Sequence, residues 1–256
     1  MAKVIAIANQ KGGVAKSTTT AAMAAGLKKR GFRVLTVDAD PQGNLSDSIG
    51  ADNRTKYTIH DVLKKTAEAK DAIQHLDIFD IIPANIMLAG AEQELSAQLG
   101  KEHRMQETLF PILDDYDYVI IDTPPSLGIL TINAFTVANE VIIPTTAGIF
   151  SASGIVQLFD TISNVRKYCS NPNLRIAGVL LTKYNPRSNN NQDMKELTEK
   201  IANSMEADMF KTYIRASVVV EEAQARKEDL FSYKAKSTVA EDYNAFVDEY
   251  LKGEQH

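Results

Sequence analysis

Only one cysteine, Cys169, stands in the 256 residues. A lone thiol excludes a disulfide framework within the chain, and no Cys/His cluster has the spacing of a zinc site. No apolar run reaches the roughly 18–20 residues that a membrane helix needs. The opening Met1-Ala2-Lys3 runs straight into a β-branched stretch, so no signal peptide is expected and the chain is expected to be cytoplasmic. An excess of positive charge is missing as well. The net charge is −5, which argues against a wholly basic nucleic-acid binder, so any DNA contact needs a local patch. Linkers, low-complexity segments and internal repeats are lacking too.

What is present suits one large α/β domain, 1–256, with a substantial core. Hydrophobic content of 44% and charged content of 24% are ordinary for a soluble globular protein. Strands are predicted at 4–8, 33–37, 78–82, 118–122, 140–144 and 176–182. They are short and nearly continuously apolar, which suits a mostly parallel sheet covered on both faces. Helices are predicted at 17–30, 59–67, 87–99, 104–113, 129–138, 153–168, 193–204 and 239–251, with a short one at 216–225. The βαβ alternation implies a doubly wound sheet. The Asn-rich stretch 185–191 reads as a surface loop. In open sheets of this kind ligands sit at the carboxyl ends of the strands.

The most informative stretch lies there: Lys11-Gly12-Gly13-Val14-Ala15-Lys16-Ser17-Thr18. Strand, small-residue loop, Lys-Ser and helix form the geometry that holds a phosphate chain. Glycine lets backbone N–H groups turn toward an anion, and the helix N-terminus adds free donors with about half a positive charge. Lys16 would neutralise the β- and γ-phosphates, and the Ser17 hydroxyl would bind Mg²⁺, a hard ion that prefers oxygen. The loop departs from the ordinary Walker A pattern, which wants glycine where Gln10 and Ala15 stand. It carries a second lysine, Lys11, which would reach a nucleotide held by a second subunit. A Gly-Gly turn with two solvated lysines before an ordinary helix is the bland alternative.

Two further strand ends carry carboxylates. After the second strand comes Asp38-Ala39-Asp40-Pro41-Gln42-Gly43-Asn44. Asp40 is the candidate for orienting the attacking water and for serving Mg²⁺. Asp38 suits support of the phosphate loop or of the metal's water shell. An Asx-type turn accounts for the same residues. The fourth strand ends Val119-Ile120-Ile121-Asp122-Thr123-Pro124-Pro125, the Walker B arrangement that holds the metal through water at Asp122. Thr123 and the prolines would form a stiff loop able to sense the γ-phosphate.

Together with Ile82-Pro83-Ala84-Asn85 and Leu88-Ala89-Gly90-Ala91-Glu92, these motifs resemble the ParA/Soj family, deviant Walker-type P-loop ATPases that partition plasmids and chromosomes. The resemblance covers nearly the whole chain. It implies ATP and ADP as ligands with Mg²⁺, an ATP-bound sandwich homodimer in which Lys11 crosses to the partner's phosphates, and hydrolysis stimulated by a ParB-type protein. It implies non-specific DNA binding and a nucleoid-associated place in the cytoplasm. Lys16, Ser17 and Asp122 match the phosphate and metal positions, Thr18 the α-phosphate contact, and Asp40 the hydrolytic aspartate. Adenine contacts would fall in segments 180–185 and 212–215, with Asn185 and Tyr213 as candidates. Lys183, Arg187 and Arg215 are the candidate DNA contacts, with Arg226, Lys227, Lys234 and Lys236 as weaker ones.

Three departures accompany this resemblance. Ala15 stands where the family usually has glycine, Ser17 where it has threonine, and the segment after Ile214 is partly acidic, with Glu221 and Glu222. The loop begins near residue 9, which implies the short family form without a helix-turn-helix domain and no operator binding. A MinD-like membrane ATPase would need a basic amphipathic C-terminal helix. Segment 239–251 is acidic instead, with an apolar stripe suited to the core, so no membrane partner is expected. Relatives of the nitrogenase iron protein need paired cysteines, which one cysteine cannot supply. The same dimer switch serving to position a protein cluster, and a switch that binds without turnover, remain open.

Overall fold

The computed structural model describes residues 1–205 and 207–254, with side chains other than those at 92, 96 and 149–153. Among them eight strands form one sheet: β1 Lys3–Ile7, β2 Val34–Asp38, β3 Gln74–His75, β4 Asp80–Ile82, β5 Tyr118–Asp122, β6 Glu140–Thr146, β7 Arg175–Tyr184 and β8 Met209–Arg215. Their order is β3-β4-β2-β5-β1-β6-β7-β8. All neighbours run parallel except the short β3, which pairs antiparallel with β4. β1 therefore lies at the centre, flanked by β5 and β6, and its carboxyl end opens into the phosphate loop.

Successive side chains of a strand face opposite ways. Val4, Ala6 and Ala8 enter one core layer, while Ile5 and Ile7 enter the other. Val119 and Ile121 likewise separate from Tyr118 and Ile120. Two buried faces explain why the strands read as continuous apolar runs. One face is covered by α5 Leu88–Ser96, α6 Arg104–Leu109, α7 Ile129–Val137 and α8 Ile149–Tyr168. The other is covered by α1 Lys16–Lys29 and α12 Thr238–Gly253.

The C-terminal stripe is Val239, Ala240, Tyr243, Phe246, Val247 and Tyr250, all buried. A Cβ on Gly26 of α1 would sit 2.9 Å from Val247 Cγ2, so α12 lies closer to α1 than any larger residue permits. The helix is also tied down by charge. Buried Glu140 at the start of β6 pairs with Lys3 and Arg175 and accepts the Tyr250 hydroxyl at 2.7 Å. Glu249 accepts the backbone N–H groups of Lys211 and Thr212 at 2.7 and 2.8 Å.

Several elements differ from the reading of the sequence. β8 was not predicted: Met209–Arg215 is a half-buried margin strand that lacks the continuous apolar run of the others. The helix expected over 104–113 stops at Leu109, and Phe110–Asp115, containing Pro111, turns as a tighter 3₁₀ segment. The Asn-rich stretch is not all loop. Ser188 Oγ accepts the Asn191 N–H and starts α9 Asn189–Ser204. Short helices α2 Asn44–Ser48, α3 Ile59–Leu63, α4 Ala69–Ala72 and α11 Leu230–Lys234 flank the longer ones, and the helix expected at 216–225 is α10 Val219–Arg226.

Candidate nucleotide-binding site

A cavity of about 830 Å³ opens at the carboxyl ends of β1, β2 and β8. Gly12, Gly13, Ala15, Lys16, Ser17 and Thr18 form its floor. The loop is braced on both sides. Asn9 donates to the Pro144 carbonyl at 2.8 Å and accepts the Lys11 N–H at 2.9 Å. The Thr182 hydroxyl of β7 donates to the Val14 carbonyl at 3.0 Å, so Val14 is buried in the frame and does not line the cavity.

Gly13 has φ 74° and Ala15 φ 65°, both left-handed. Glycine tolerates this backbone freely, whereas a Cβ there costs about 1 kcal/mol. Ala15 takes the conformation that the missing glycine would have taken. It is also the residue before α1, and no side chain caps that helix end. The first N–H groups of α1 therefore face the cavity, a natural seat for an anion.

Lys16 is buried, and its ammonium lies 3.5 Å from the Lys11 carbonyl. Burial pushes its pKa below the ordinary lysine value, while Asp122 and Asp40 pull it back up. Asp122 is fully buried at the end of β5. Burial raises its carboxyl well above the usual carboxylate range and nearby Asp38 adds to this, while the Ser17 hydroxyl and Lys16 oppose it. Oδ1 accepts the Thr20 hydroxyl at 3.4 Å, and Oδ2 has no hydrogen-bond partner. An orphaned buried carboxylate oxygen beside a serine hydroxyl fits a hard divalent cation reached through water.

Asp40 lines the cavity opposite, and its Oδ1 accepts the Gln42 N–H at 2.9 Å. Asp38 does not line it. Its Oδ1 accepts the Asp40 N–H at 3.1 Å, and its Oδ2 accepts both the N–H and the hydroxyl of Ser46, at 2.9 and 2.7 Å. Burial raises its pKa to about 6 against those hydrogen bonds. The expectation that Asp38 contacts ligand or metal water is thus corrected: its oxygens are consumed in shaping the turn.

Thr123 is likewise spoken for, donating to the Ile7 carbonyl at 2.9 Å, while Pro125 reaches the cavity. Lys11 is exposed, points away from its own cavity and donates to Thr146 Oγ1 at 3.4 Å.

The far wall is built from β8 and α10. Ile214, Arg215 and Val218 line it, as do Gln224, whose amide donates to Thr18 Oγ1 at 3.3 Å, and Tyr243, hydrogen-bonded to Thr19. Tyr213 and Asn185 lie outside the cavity. Tyr213 faces away from it and meets Tyr184 edge to face, with centroids 4.8 Å apart. Asn185 closes its own turn by accepting the Arg187 N–H at 3.0 Å. The residues that do face the base side came from tertiary packing, and only Gln42 and Asn44 among the missed lining residues sit in a quoted motif.

Lys183 lies at the cavity mouth and Arg187 is exposed. Arg215 is in an ion pair with Asp242 of α12. Arg226 stacks over the Tyr233 ring with its guanidinium 5.4 Å from the centroid. Arg215 is therefore not the free surface cation that the sequence suggested.

A family model described as an AAA domain matches residues 2–176. The sporulation initiation inhibitor protein Soj of Bacillus subtilis is 39% identical over 95% of this chain and 96% of its own length. The chromosome partitioning protein ParA of Caulobacter vibrioides is 36% identical over 99% and 95%. Among solved structures, cobyrinic acid a,c-diamide synthase from Mycobacterium smegmatis, with ADP and magnesium bound, superposes with a TM-score of 0.86 and 36% identity over 100% of this chain and 96% of that one. Among the described residues no helix is long and apolar enough to cross a membrane.

Proposed function

Because the chain belongs to the ParA/Soj family of partitioning ATPases, we propose that it segregates DNA by an ATP-driven dimer switch. It is an ATPase, and its nucleotides are ATP and ADP with Mg²⁺. The whole chain, 1–256, acts as one ATPase unit.

The residues divide the work. N–H groups of the phosphate loop and of the first turn of α1 bind the phosphate chain, and the Lys16 ammonium neutralises it. Ser17 and Asp122 would hold Mg²⁺, which supplies further neutralisation of phosphate charge. Asp40 orients the water from across the cavity and accepts its proton. Thr18 meets the α-phosphate.

Lys11 completes the site of a second copy. The observation that carries this reading is the division between the two lysines: Lys16 lines its own cavity, whereas Lys11 is exposed and turned out of it. The ATP-bound homodimer then binds DNA without sequence preference, through Lys183 and Arg187 doubled across the two copies. A ParB-type partner stimulates hydrolysis and returns the chain to a form that leaves DNA. Its place is the cytoplasm, on the nucleoid.

Size-exclusion chromatography of the Asp40→Ala protein tests this. The dimer is expected with ATP and not with ADP, and DNA is expected to co-elute with the dimer. A monomer with ATP would refute the switch. A second reading keeps the dimer and replaces DNA by a protein cluster as cargo. Its support is the Arg215–Asp242 pair beside the acidic Glu221 and Glu222. An ATP dimer that ignores DNA would favour it.

A further inference from the structure

Asp40 stands on a turn whose shape is set from behind. The segment from Asp38 to Ser46 doubles back on itself. Asp40 Oδ1 accepts the Gln42 N–H at 2.9 Å, and the Asp40 carbonyl accepts the Gly43 N–H at 2.9 Å. Gly43 is left-handed, with φ 65°, and a Cβ there would lie 3.1 Å from the Ala84 carbonyl oxygen. The turn is therefore pressed against the loop that follows β4.

Its two ends are joined by one side chain. Asp38 accepts from the backbone of Asp40 on one oxygen and from Ser46 twice on the other. The Ser46 hydroxyl also accepts the Ala84 N–H at 3.0 Å. Asp38 and Ser46 are both fully buried. The hydroxyl thus donates in one direction and accepts in the other, and no apolar side chain can do both. Charge-assisted bonds to a carboxylate are the strong kind, and a turn closed by three of them has little freedom.

We infer that Ser46 is a positioning residue for hydrolysis: with Asp38 it clamps the Asp40 turn to the Ala84 loop and fixes where the Asp40 carboxylate stands. Neither residue lines the cavity, so neither touches nucleotide. The nucleotide's own contacts, Lys16, Ser17 and Thr18, lie on a different element. Loss of the clamp should move Asp40 while leaving those contacts in place. This rests on the hydrolytic role of Asp40 proposed above.

The test is steady-state phosphate release by the full chain with Mg-ATP, for wild type, Ser46→Ala, Ser46→Thr and Asp38→Asn, with thermal unfolding to confirm that each protein is folded. Displacing a reacting group by about 1 Å costs up to 10²-fold in rate. Ser46→Ala is expected to lower kcat by about tenfold or more with KM for ATP changed less than twofold. Ser46→Thr, which keeps the hydroxyl, is expected to restore most of it. Asp38→Asn cannot accept at both positions and is expected to behave as Ser46→Ala does; it carries the test if Ser46→Ala does not fold. Wild-type kcat in a folded Ser46→Ala or Asp38→Asn protein overturns the inference. So does a rise in KM that matches the fall in kcat, because the effect is then on binding. Absence of turnover in wild type would instead strike at the proposed ATPase cycle, and the two failures are told apart by that control.

Discussion

The Asp242 carboxylate accepts from Arg215 at three nitrogens: the backbone N–H at 2.9 Å, Nε at 2.9 Å and Nη2 at 2.6 Å. One side chain of α12 thereby holds both the backbone and the guanidinium at the end of β8. Arg215 lines the nucleotide cavity, so α12 sets one wall of a site whose floor lies on α1.

Asp242→Ala should destabilise the protein by about 1–2 kcal/mol, an ion-pair share discounted for solvent screening plus one lost hydrogen bond. The guanidinium is 39% exposed, which is why the ion-pair share is small. Thermal unfolding would show a melting temperature lower by about 2–4 °C per kcal/mol for a chain of this size. An unchanged midpoint would mean that the pair contributes nothing to the wall.

Ala15→Gly should stabilise the apo protein. The left-handed backbone at Ala15 strains any residue with a Cβ, and glycine removes that strain of about 1 kcal/mol, less its own added freedom in the unfolded chain. The expected gain is some tenths of a kcal/mol up to about 1 kcal/mol, read as a rise in melting temperature. A fall would show that the methyl is held by favourable packing.

Lys16→Ala should abolish ATP binding in titration calorimetry. Lys16 is the buried ammonium on the floor of the cavity, facing the carboxylates of Asp122 and Asp40. Affinity equal to wild type would remove the phosphate-loop assignment.

Lys11→Ala should leave ATP binding by the monomer close to wild type and remove both the ATP-dependent dimer and stimulated turnover. Its hydrogen bond to Thr146 is exposed and long, so little stability is at stake. Sedimentation of the variant with ATP distinguishes the outcomes, and a wild-type dimer would end the role given to Lys11.

Arg187→Ala should weaken DNA retention uniformly across sequences and lower the salt slope by about one unit. Arg187 is the cleaner probe because it is exposed, whereas Arg215→Glu would set a second carboxylate against Asp242. A slope equal to wild type would move the contact elsewhere.

The central strands, the phosphate loop and Asp122 were legible because each is written in contiguous residues. β1 and β5 are short runs buried on both faces, and Lys16-Ser17 follows β1 directly. What escaped depends on distant partners. β8 is half-buried at the margin of the sheet, and Glu249 and Asp242, far along the chain, accept from its backbone. Asp38 and Asp40 look alike in sequence, but Ser46 claims one and leaves the other facing the cavity. Tyr213 was placed at the base because its neighbour Ile214 belongs there; alternation along β8 turns Tyr213 toward Tyr184 instead. The strain at Ala15 is a matter of dihedral angle, and composition carries no mark of it.

Glu249 also bears on how copies of this chain can associate. Its carboxylate occupies N–H groups on the outer side of β8 that would otherwise invite a strand from another molecule. Continuous zippering of sheet to sheet along that flank would first have to evict a charged side chain. Assembly is steered away from open-ended fibres of that kind, toward a closed pair that meets across the nucleotide.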